Sequence, residues 1–566
     1  MRSKIDILIL IFFTALLYVL TVRGLTGNFN NAKELSKFAV YNTTKFTEDL
    51  HGNFESSHER STYAFMLSLR NKSIALSKDL ADFGIPDIGF FKGNLYSLFP
   101  PGLALTILPM YIIGGYFNLG QVFSYFSIAF FAIGSALLLY KVSRNVFKLP
   151  SWVSIFSALI FSFATTSWSY AITIYQHLPA AFFILFGFYA VWKFKKAEKY
   201  RFFWASLVWF IYGLSIFFDY PNAILMLPII IYFFVSSVDF EPEPVRRINI
   251  NGLFFITSIV FIALLALHGL YNNEVFGRPI KFHNTLPVYN GFNYEELING
   301  TSRDSNKPTI WRIFTEEAIL QGINKLFIRA DRGLFIYSPI LLFALLGMFS
   351  FRKKYNVESI TLLITVAVNI LVYTSTGIPE GGRAFGPRYL IPSMSVLSLF
   401  VAIWLLETKY KMSSRILIFI VVTFSSGVAL LGALTTNMNR IKEEAINLNK
   451  KYTFLFNWDF LKQGKSGSFV YNEFLADKIS LVEYFFIIYG MLLTVFAVVL
   501  FVLPMFEKEK ERVEVPPAPT VPSELAVGDP STRLGVNKKI PVVPAKRYQF
   551  HCFFNRIDFD YKTKLF

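Results

Sequence analysis

The stretch Ser57-His58-Glu59-Arg60-Ser61-Thr62-Tyr63-Ala64-Phe65-Met66-Leu67 sets an imidazole, a carboxylate and a guanidinium side by side. Tyr63, Met66 and Leu67 recur at helical spacing, with Arg70 beyond them, so the segment reads as a helix with Glu59 at its start. A carboxylate there is favoured by the helix dipole. Two uses are open to it: taking a proton from a bound hydroxyl, or plain capping beside a solvated arginine. Asp87, in Gly84-Ile85-Pro86-Asp87-Ile88-Gly89, is a second candidate carboxylate, and Asp after Pro is also common in turns. Asp79 and Asp82 make weaker cases, and Tyr96 follows in Gly93-Asn94-Leu95-Tyr96-Ser97-Leu98-Phe99-Pro100-Pro101-Gly102.

The cations that could complement such carboxylates lie far away in the chain. The most specific local feature is Gly381-Gly382-Arg383-Ala384-Phe385-Gly386-Pro387-Arg388-Tyr389, two arginines in a glycine-rich turn. Arginine forks suit phosphate oxygens, so the pair points to an anionic ligand. Arg329-Ala330-Asp331-Arg332-Gly333 repeats the theme, although Asp331 can also pair with an arginine. Arg278 and His283 are weaker. His177, in Tyr175-Gln176-His177, opens an apolar run and is more often a structural residue than a catalyst. Asp219, before Tyr220-Pro221-Asn222, is an acidic group near membrane depth and hence a functional candidate, or else a helix cap before a proline.

What must position these groups is a membrane scaffold. The chain of 566 residues is 54% hydrophobic and 18% aromatic, with only 16% charge. Soluble domains carry roughly 25% charged residues. The single cysteine, Cys552, excludes a disulfide scaffold. The net charge of +17 would suggest nucleic acid in a soluble protein, but basic residues collect in the cytoplasmic loops of membrane proteins, and no nucleic-acid partner is expected.

Apolar runs near 5–22, 121–140, 152–170, 177–193, 202–218, 221–238, 251–271, 333–350, 357–375, 389–406, 414–434 and 481–504 give about 12 spanning helices. A further run at 101–119 opens with Pro100-Pro101-Gly102 and is interrupted by Pro109 and Gly114-Gly115. Counting it as a span would put Lys141, Arg144 and Lys148 outside and spoil the alternation at every later basic linker, so it reads as a re-entrant or juxtamembrane helix. Both termini then lie inside. The expected order is a first transmembrane helix (1–22), an outer catalytic loop with juxtamembrane helices (23–120) and a transmembrane core (121–271). An outer loop (272–332) follows, then transmembrane helices with an arginine-rich outer loop at 376–388 (333–434). Another outer loop (435–480), a last helix (481–504) and a cytoplasmic, largely disordered tail (505–566) complete it. Sequons at Asn42, Asn71 and Asn299 lie on the outer segments of this topology.

These residues resemble the GT-C superfamily of polytopic membrane glycosyltransferases. The pattern is similar to the aminoarabinose transferase and protein O-mannosyltransferase relatives in prokaryotes. The resemblance is carried by Glu59 to Ala64, by Tyr96 to Gly102, by the 381–390 loop and by Arg332 to Pro339, and it covers roughly 1–400. It implies an all-α polytopic fold of GT-C type in the cytoplasmic membrane with its active site facing outward. It also implies an inverting transfer of a hexose or pentose from a polyprenyl-phosphate donor to a lipid, glycan or protein acceptor. Aligned on Tyr63-Ala64, Glu59 takes the position of the general base. The arginine expected before the tyrosine is Thr62, with Arg60 displaced, and the basic residue before Pro-Pro is Phe99. Donor-phosphate contacts are therefore sought in Arg60, Arg332, Arg383 and Arg388, with Glu59 and Asp87 as the catalytic candidates. His58, His177, Asp219 and Tyr96 complete the set. Some relatives use a divalent metal and others do not, and no His-x-x-x-His or Asp-x-Asp cluster decides it here. Three rivals remain at this level, one of them a non-catalytic structural protein, for which Glu59 would be dispensable. A transporter or flippase of a lipid-linked or anionic substrate would set its charges near mid-membrane and show repeats. A membrane polysaccharide ligase or polymerase would use a long late outer loop.

Overall fold

Nine helices among the described residues are long and apolar enough to cross a membrane: Lys4–Thr21, Gly120–Val146, His177–Lys196, Arg201–Phe218, Leu253–Phe276, Val357–Thr374, Arg388–Glu407, Met412–Leu434 and Leu481–Phe506. This is a helical, multi-pass membrane protein. The computed structural model describes residues 2–36, 54–240, 248–300, 316–354, 356–376, 379, 381–408, 411–439 and 442–506. Asn42 and residues 507–566 of the expected disordered tail lie outside the described residues.

The other three expected spans are shorter, broken helices, each with a local cause. The 152–170 run divides into Ser151–Phe163 and Ser167–Ala171. At the break the hydroxyls of Thr165 and Ser167 both donate to the Phe161 carbonyl, taking an acceptor the helix would otherwise use. The 221–238 run divides at Met226 ahead of Pro228, and the 333–350 run at Ser338 ahead of Pro339. Proline lacks the N–H that would continue the helix through these points.

The run at 101–119 folds as Pro101–Gly115, a helix of 15 residues. At 1.5 Å per residue it is well short of the roughly 30 Å hydrocarbon layer. Gly102 explains where it sits: a Cβ there would lie 2.5 Å from the Phe217 carbonyl oxygen, so the helix start packs directly on the end of Arg201–Phe218.

Burial sorts the helices into an inside and a rim. Ser151–Phe163 is buried along nearly its whole length, and the apolar window of Arg388–Glu407 is 83% buried against 11% for Leu253–Phe276. Contacts also sort their ends. Tyr140 and Ser151 both donate to Asp6, Lys195 and Tyr232 to Glu358, and Lys354 to Glu407, so the basic linkers gather at one end of the bundle. The Ser57–Arg70 helix lies at the other end, where Arg23 bonds the Gly432 carbonyl.

The fold is not purely helical. Strands Ile88–Phe91 and Asn94–Ser97 form a hairpin turned at Gly93 (φ +82°), with Val288–Tyr289 on the far side of the first strand. The Tyr96 segment is therefore a strand. A second antiparallel pair joins Val238–Phe240 to Ile248–Ile250.

Candidate functional site

The Ser57–Arg70 helix begins with a reciprocal cap. The Ser56 hydroxyl accepts from the Glu59 N–H at 3.2 Å, and Glu59 Oε2 accepts from the Ser56 N–H at 3.2 Å. One oxygen of the expected base is thus engaged in capping. The other, Oε1, is buried without a partner among the described residues, and the residue is 1% exposed. Burial and the neighbouring Glu55 carboxylate push the Glu59 pKa up to about 7, against the pull of Arg23, the Ser56 backbone and Arg60.

Glu55 belongs to a buried network absent from the sequence-level candidates. Arg23 Nη1 donates to Glu55 Oε2 at 2.8 Å, both side chains being 1% exposed. Arg23 Nη2 donates to the Gly432 carbonyl at 2.7 Å, and the Asn437 N–H donates to Glu55 Oε2 at 3.1 Å. This ties the end of the first helix, the cap and the end of Met412–Leu434 together. Arg23 and Glu55 are 32 positions apart with nothing regular between them, so spacing offers no signal for the pair.

On the other side of the same helix start lies an aromatic basin around Arg388. Its guanidinium carbon is 4.8 Å from the Tyr175 ring centroid and 5.3 Å from that of Tyr389, and its Nε has no hydrogen-bond partner among the described residues. Arg388 forms no ion pair with any described carboxylate, and it is only half-buried. His58 stacks on Tyr175 at 4.8 Å and packs on Phe99 at 3.9 Å. Its Nδ1 lies 3.1 Å from the Ile174 carbonyl oxygen, which fixes the ring, while Nε2 is unpartnered. Burial, then the positive charge of Arg388, push the His58 pKa down to about 3, so it is a neutral imidazole at ordinary pH.

Asp87 and Asp219 both lie within electrostatic reach of this cation. Asp87 is half-buried at the foot of the hairpin; its own carbonyl accepts from the Ser61 hydroxyl at 2.8 Å. Burial raises its pKa, while the Ser57 side chain, Arg388 and Arg60 pull it down. Asp219 closes the Arg201–Phe218 helix; burial lifts it to about 7, with Gln176 and Arg388 opposing. His177 stands beside Tyr389 (ring centroids 5.2 Å, edge-on), with its Nε2 unpartnered.

The loop that carries Arg388 is held from several directions. The Phe385 N–H donates to the Asn437 carbonyl at 2.8 Å, the Tyr170 hydroxyl donates to the Phe385 carbonyl at 3.2 Å, and the Asn439 N–H donates to the Arg383 carbonyl at 3.2 Å. Gly386 takes φ +65°, and a Cβ there would meet Thr166 at 2.6 Å, so the turn needs glycine on both counts.

The remaining candidates are elsewhere or otherwise occupied. Arg60 is wholly buried and donates to the carbonyls of Phe54, Glu55, Phe83 and Ile85, stapling the first loop. Arg332 pairs with Asp331 at 2.9 Å and donates to the Gly382 carbonyl at 2.7 Å, while Arg329 grips Asp331 through two nitrogens. Arg383 is half-buried in the same turn as Arg388. Tyr96 packs with Phe276 and Leu286 in a small cluster of its own. The structure therefore gathers His58, Asp87, His177, Asp219 and Arg388, sets Glu59 behind them, and uses Arg60 and Arg332 as ties. Tyr175 was legible only as a neighbour of His177; its ring is what joins His58 to Arg388. Among the described residues no group of three or more His, Cys, Asp or Glu side chains is placed to hold a metal ion.

No protein-family profile and no curated protein matches the chain. Three solved structures are similar to it in shape. ArnT from Cupriavidus metallidurans in the apo state is 10% identical over 88% of this chain and 78% of that one, with a TM-score of 0.42. The same protein bound to undecaprenyl phosphate is 11% identical over 91% and 81%, with a TM-score of 0.43. The oligosaccharyltransferase AglB from Archaeoglobus fulgidus, in complex with an inhibitory peptide and a dolichol-phosphate, is 14% identical over 87% of this chain and 56% of that one, with a TM-score of 0.38. TM-scores below 0.5 carry no activity across to this chain. Both proteins are members of the GT-C superfamily, the superfamily that the sequence motifs resemble.

Proposed function

We propose that this protein transfers a sugar from a polyprenyl-phosphate donor to a hydroxyl of a lipid, glycan or protein acceptor at the non-cytoplasmic face of its membrane. The observation that carries this reading is Arg388: a half-buried guanidinium against the Tyr175 and Tyr389 rings, with no ion-paired carboxylate among the described residues and within electrostatic reach of Asp87 and Asp219. A partly buried cation without an ion-paired carboxylate is incompletely compensated, and an anionic ligand supplies the missing charge. Its site at the start of a membrane-spanning helix lets a phosphate be held while its polyprenyl tail stays in lipid.

In this reading Asp87 is the general base. It is more exposed than Glu59, its raised pKa makes it a better proton acceptor than an ordinary carboxylate, and it faces Arg388. Asp87 takes the proton of the acceptor hydroxyl as its oxygen attacks the anomeric carbon from the face opposite the phosphate. The bond between that carbon and the phosphate oxygen breaks with inversion. The charge left on the lipid phosphate is met by Arg388, with Arg383 of the same turn in support. Asp219 and the neutral imidazoles of His58 and His177 offer acceptors or donors to sugar hydroxyls. Glu59 keeps a supporting place: its carboxyl fixes the start of the helix that carries His58 and faces Asp87.

Mass analysis of glycolipids, glycans and glycoproteins tests the reading, in a deletion strain complemented with wild-type protein or with Arg388→Ala. A glycan that disappears on deletion and returns only with the wild type supports it. An identical profile in all three strains sinks it.

A further inference from the structure

Beside the basin lies a second set of polar groups that the proposed chemistry does not use. His268 and Tyr271 stand near the end of the Leu253–Phe276 helix, and His283 follows in the next loop. Both ring nitrogens of His268, the Tyr271 hydroxyl and His283 Nε2 are buried, and none has a hydrogen-bond partner among the described residues. His268 is 7% exposed and His283 1%. Four orphaned atoms on three neighbouring side chains are unusual, because each costs stability in an empty site.

The arrangement is specific. Tyr271 and His283 lie face to face, 5.6 Å apart and 5° from parallel, and His268 stands 6.2 Å from Tyr271. Phe217 and Tyr220 close the group edge-on, at 4.7 and 5.8 Å from His268. The other nitrogen of His283 is anchored 2.9 Å from the Ser97 carbonyl oxygen, which fixes which nitrogen is left over. Ser97 in turn bonds Ser61, the partner of the Asp87 carbonyl, and Tyr220 adjoins Asp219. The group is therefore connected to the Asp87–Arg388 basin through both of the basin's carboxylate segments.

Neutral donors and acceptors between aromatic faces match a polyhydroxylated ring: hydroxyls for the nitrogens and the phenol, C–H faces for the rings. Among the described residues no arginine or lysine hydrogen-bonds these atoms, which argues against phosphate, and the histidines belong to no set placed to hold a metal. We propose that His268, Tyr271 and His283 form a subsite for a sugar ring. The choice of a sugar rests on the function proposed above; the subsite itself rests on the orphaned atoms.

The test uses the full-length protein in nanodiscs. It is titrated with undecaprenyl phosphate, with undecaprenyl-phosphoryl-mannose, -glucose and -arabinose, and with the methyl glycosides of the same sugars. In the wild type at least one glycosylated carrier should bind about tenfold tighter than the bare carrier, as expected for one or two neutral hydrogen bonds and a ring contact. His268→Phe and Tyr271→Phe, which keep the ring shape, should lose that increment and leave bare-carrier affinity unchanged. Variants that instead lose only methyl-glycoside binding assign the same subsite to the acceptor's sugar. The proposal is overturned if the wild type shows no sugar-dependent affinity for any probe, or if both variants retain it. Bare-carrier binding that disappears in Arg388→Ala keeps the transferase reading alive when the subsite fails. No carrier binding at all defeats both.

Discussion

Glu59 and Asp87 are served by one helix start and placed in opposite surroundings. Glu59 points into the protein, 1% exposed, capping its own helix beside the Arg23–Glu55 pair. Asp87 comes in from the hairpin side, half-buried, within electrostatic reach of Arg388, whose Nε has no hydrogen-bond partner among the described residues. Burial raises both pKa values, and the proposed mechanism gives the incoming hydroxyl to Asp87 alone. A perturbed carboxyl is thus not by itself a catalytic one: satisfied buried networks perturb pKa values as strongly as active sites do.

The sharpest break of this comparison is in turnover. Asp87→Asn should lower sugar transfer by about 10²–10⁴-fold with little change in melting temperature, measured with purified protein and a polyprenyl-phosphate sugar. Near-wild-type turnover would move the base elsewhere, with Glu59 and Asp219 next in line.

The inner network should answer in stability. Arg23→Met removes the cation paired with the buried Glu55 carboxylate, at a cost of about 3–5 kcal/mol. Thermal melting in detergent reads it, and adding Glu55→Leu should recover most of the loss. A single variant that melts normally would mean that water reaches the pair.

Arg388→Lys keeps the charge but not the fork or the flat face over Tyr175. Transfer should fall by about 10²-fold, with donor affinity weakened, because a transition-state charge contact of this kind is worth that much. Unchanged kinetics would remove Arg388 from the donor site.

The smallest effect is expected at Glu59→Gln, and it is mainly a pH effect. The folded pKa of about 7 lies above the ordinary 4.5, so the folded protein binds the proton more tightly than the unfolded chain. The stability linked to that proton is complete below the unfolded value and is lost as pH rises toward 7. The Gln variant should therefore flatten the decline of melting temperature with pH between those values and change turnover by no more than a few-fold, roughly the weight of a cap. Complete loss of transfer in this variant would reverse the roles of the two carboxylates.

Much of this protein was legible in order along the chain. The spans follow from about 20 apolar residues each, and the basic linkers set the alternation that singles out 101–119. The helix at Ser57–Arg70 and its cap follow from Ser56, Glu59 and the spacing of Tyr63, Met66 and Leu67. The glycine-rich turn announced Arg388 by residue type, since arginine on a loop expected to face outward runs against the charge rule. Hydropathy did not reveal where three of the spans would break, because the Thr165 and Ser167 hydroxyls and the prolines at 228 and 339 act through backbone hydrogen bonds rather than through apolarity.

What the sequence determined by itself is therefore the class of molecule and the list of groups available for chemistry: helices for lipid, carboxylates and arginines for the loops. Which groups meet was decided only in three dimensions. Arg60 and Arg388 are the same residue type in equally suggestive contexts, yet the first is surrounded by carbonyls that need its donors and the second is not. Whether a guanidinium is a staple or a binding site depends on the acceptors that the rest of the chain brings within about 3 Å of it, and those come from segments too far apart in sequence to be read from any local pattern.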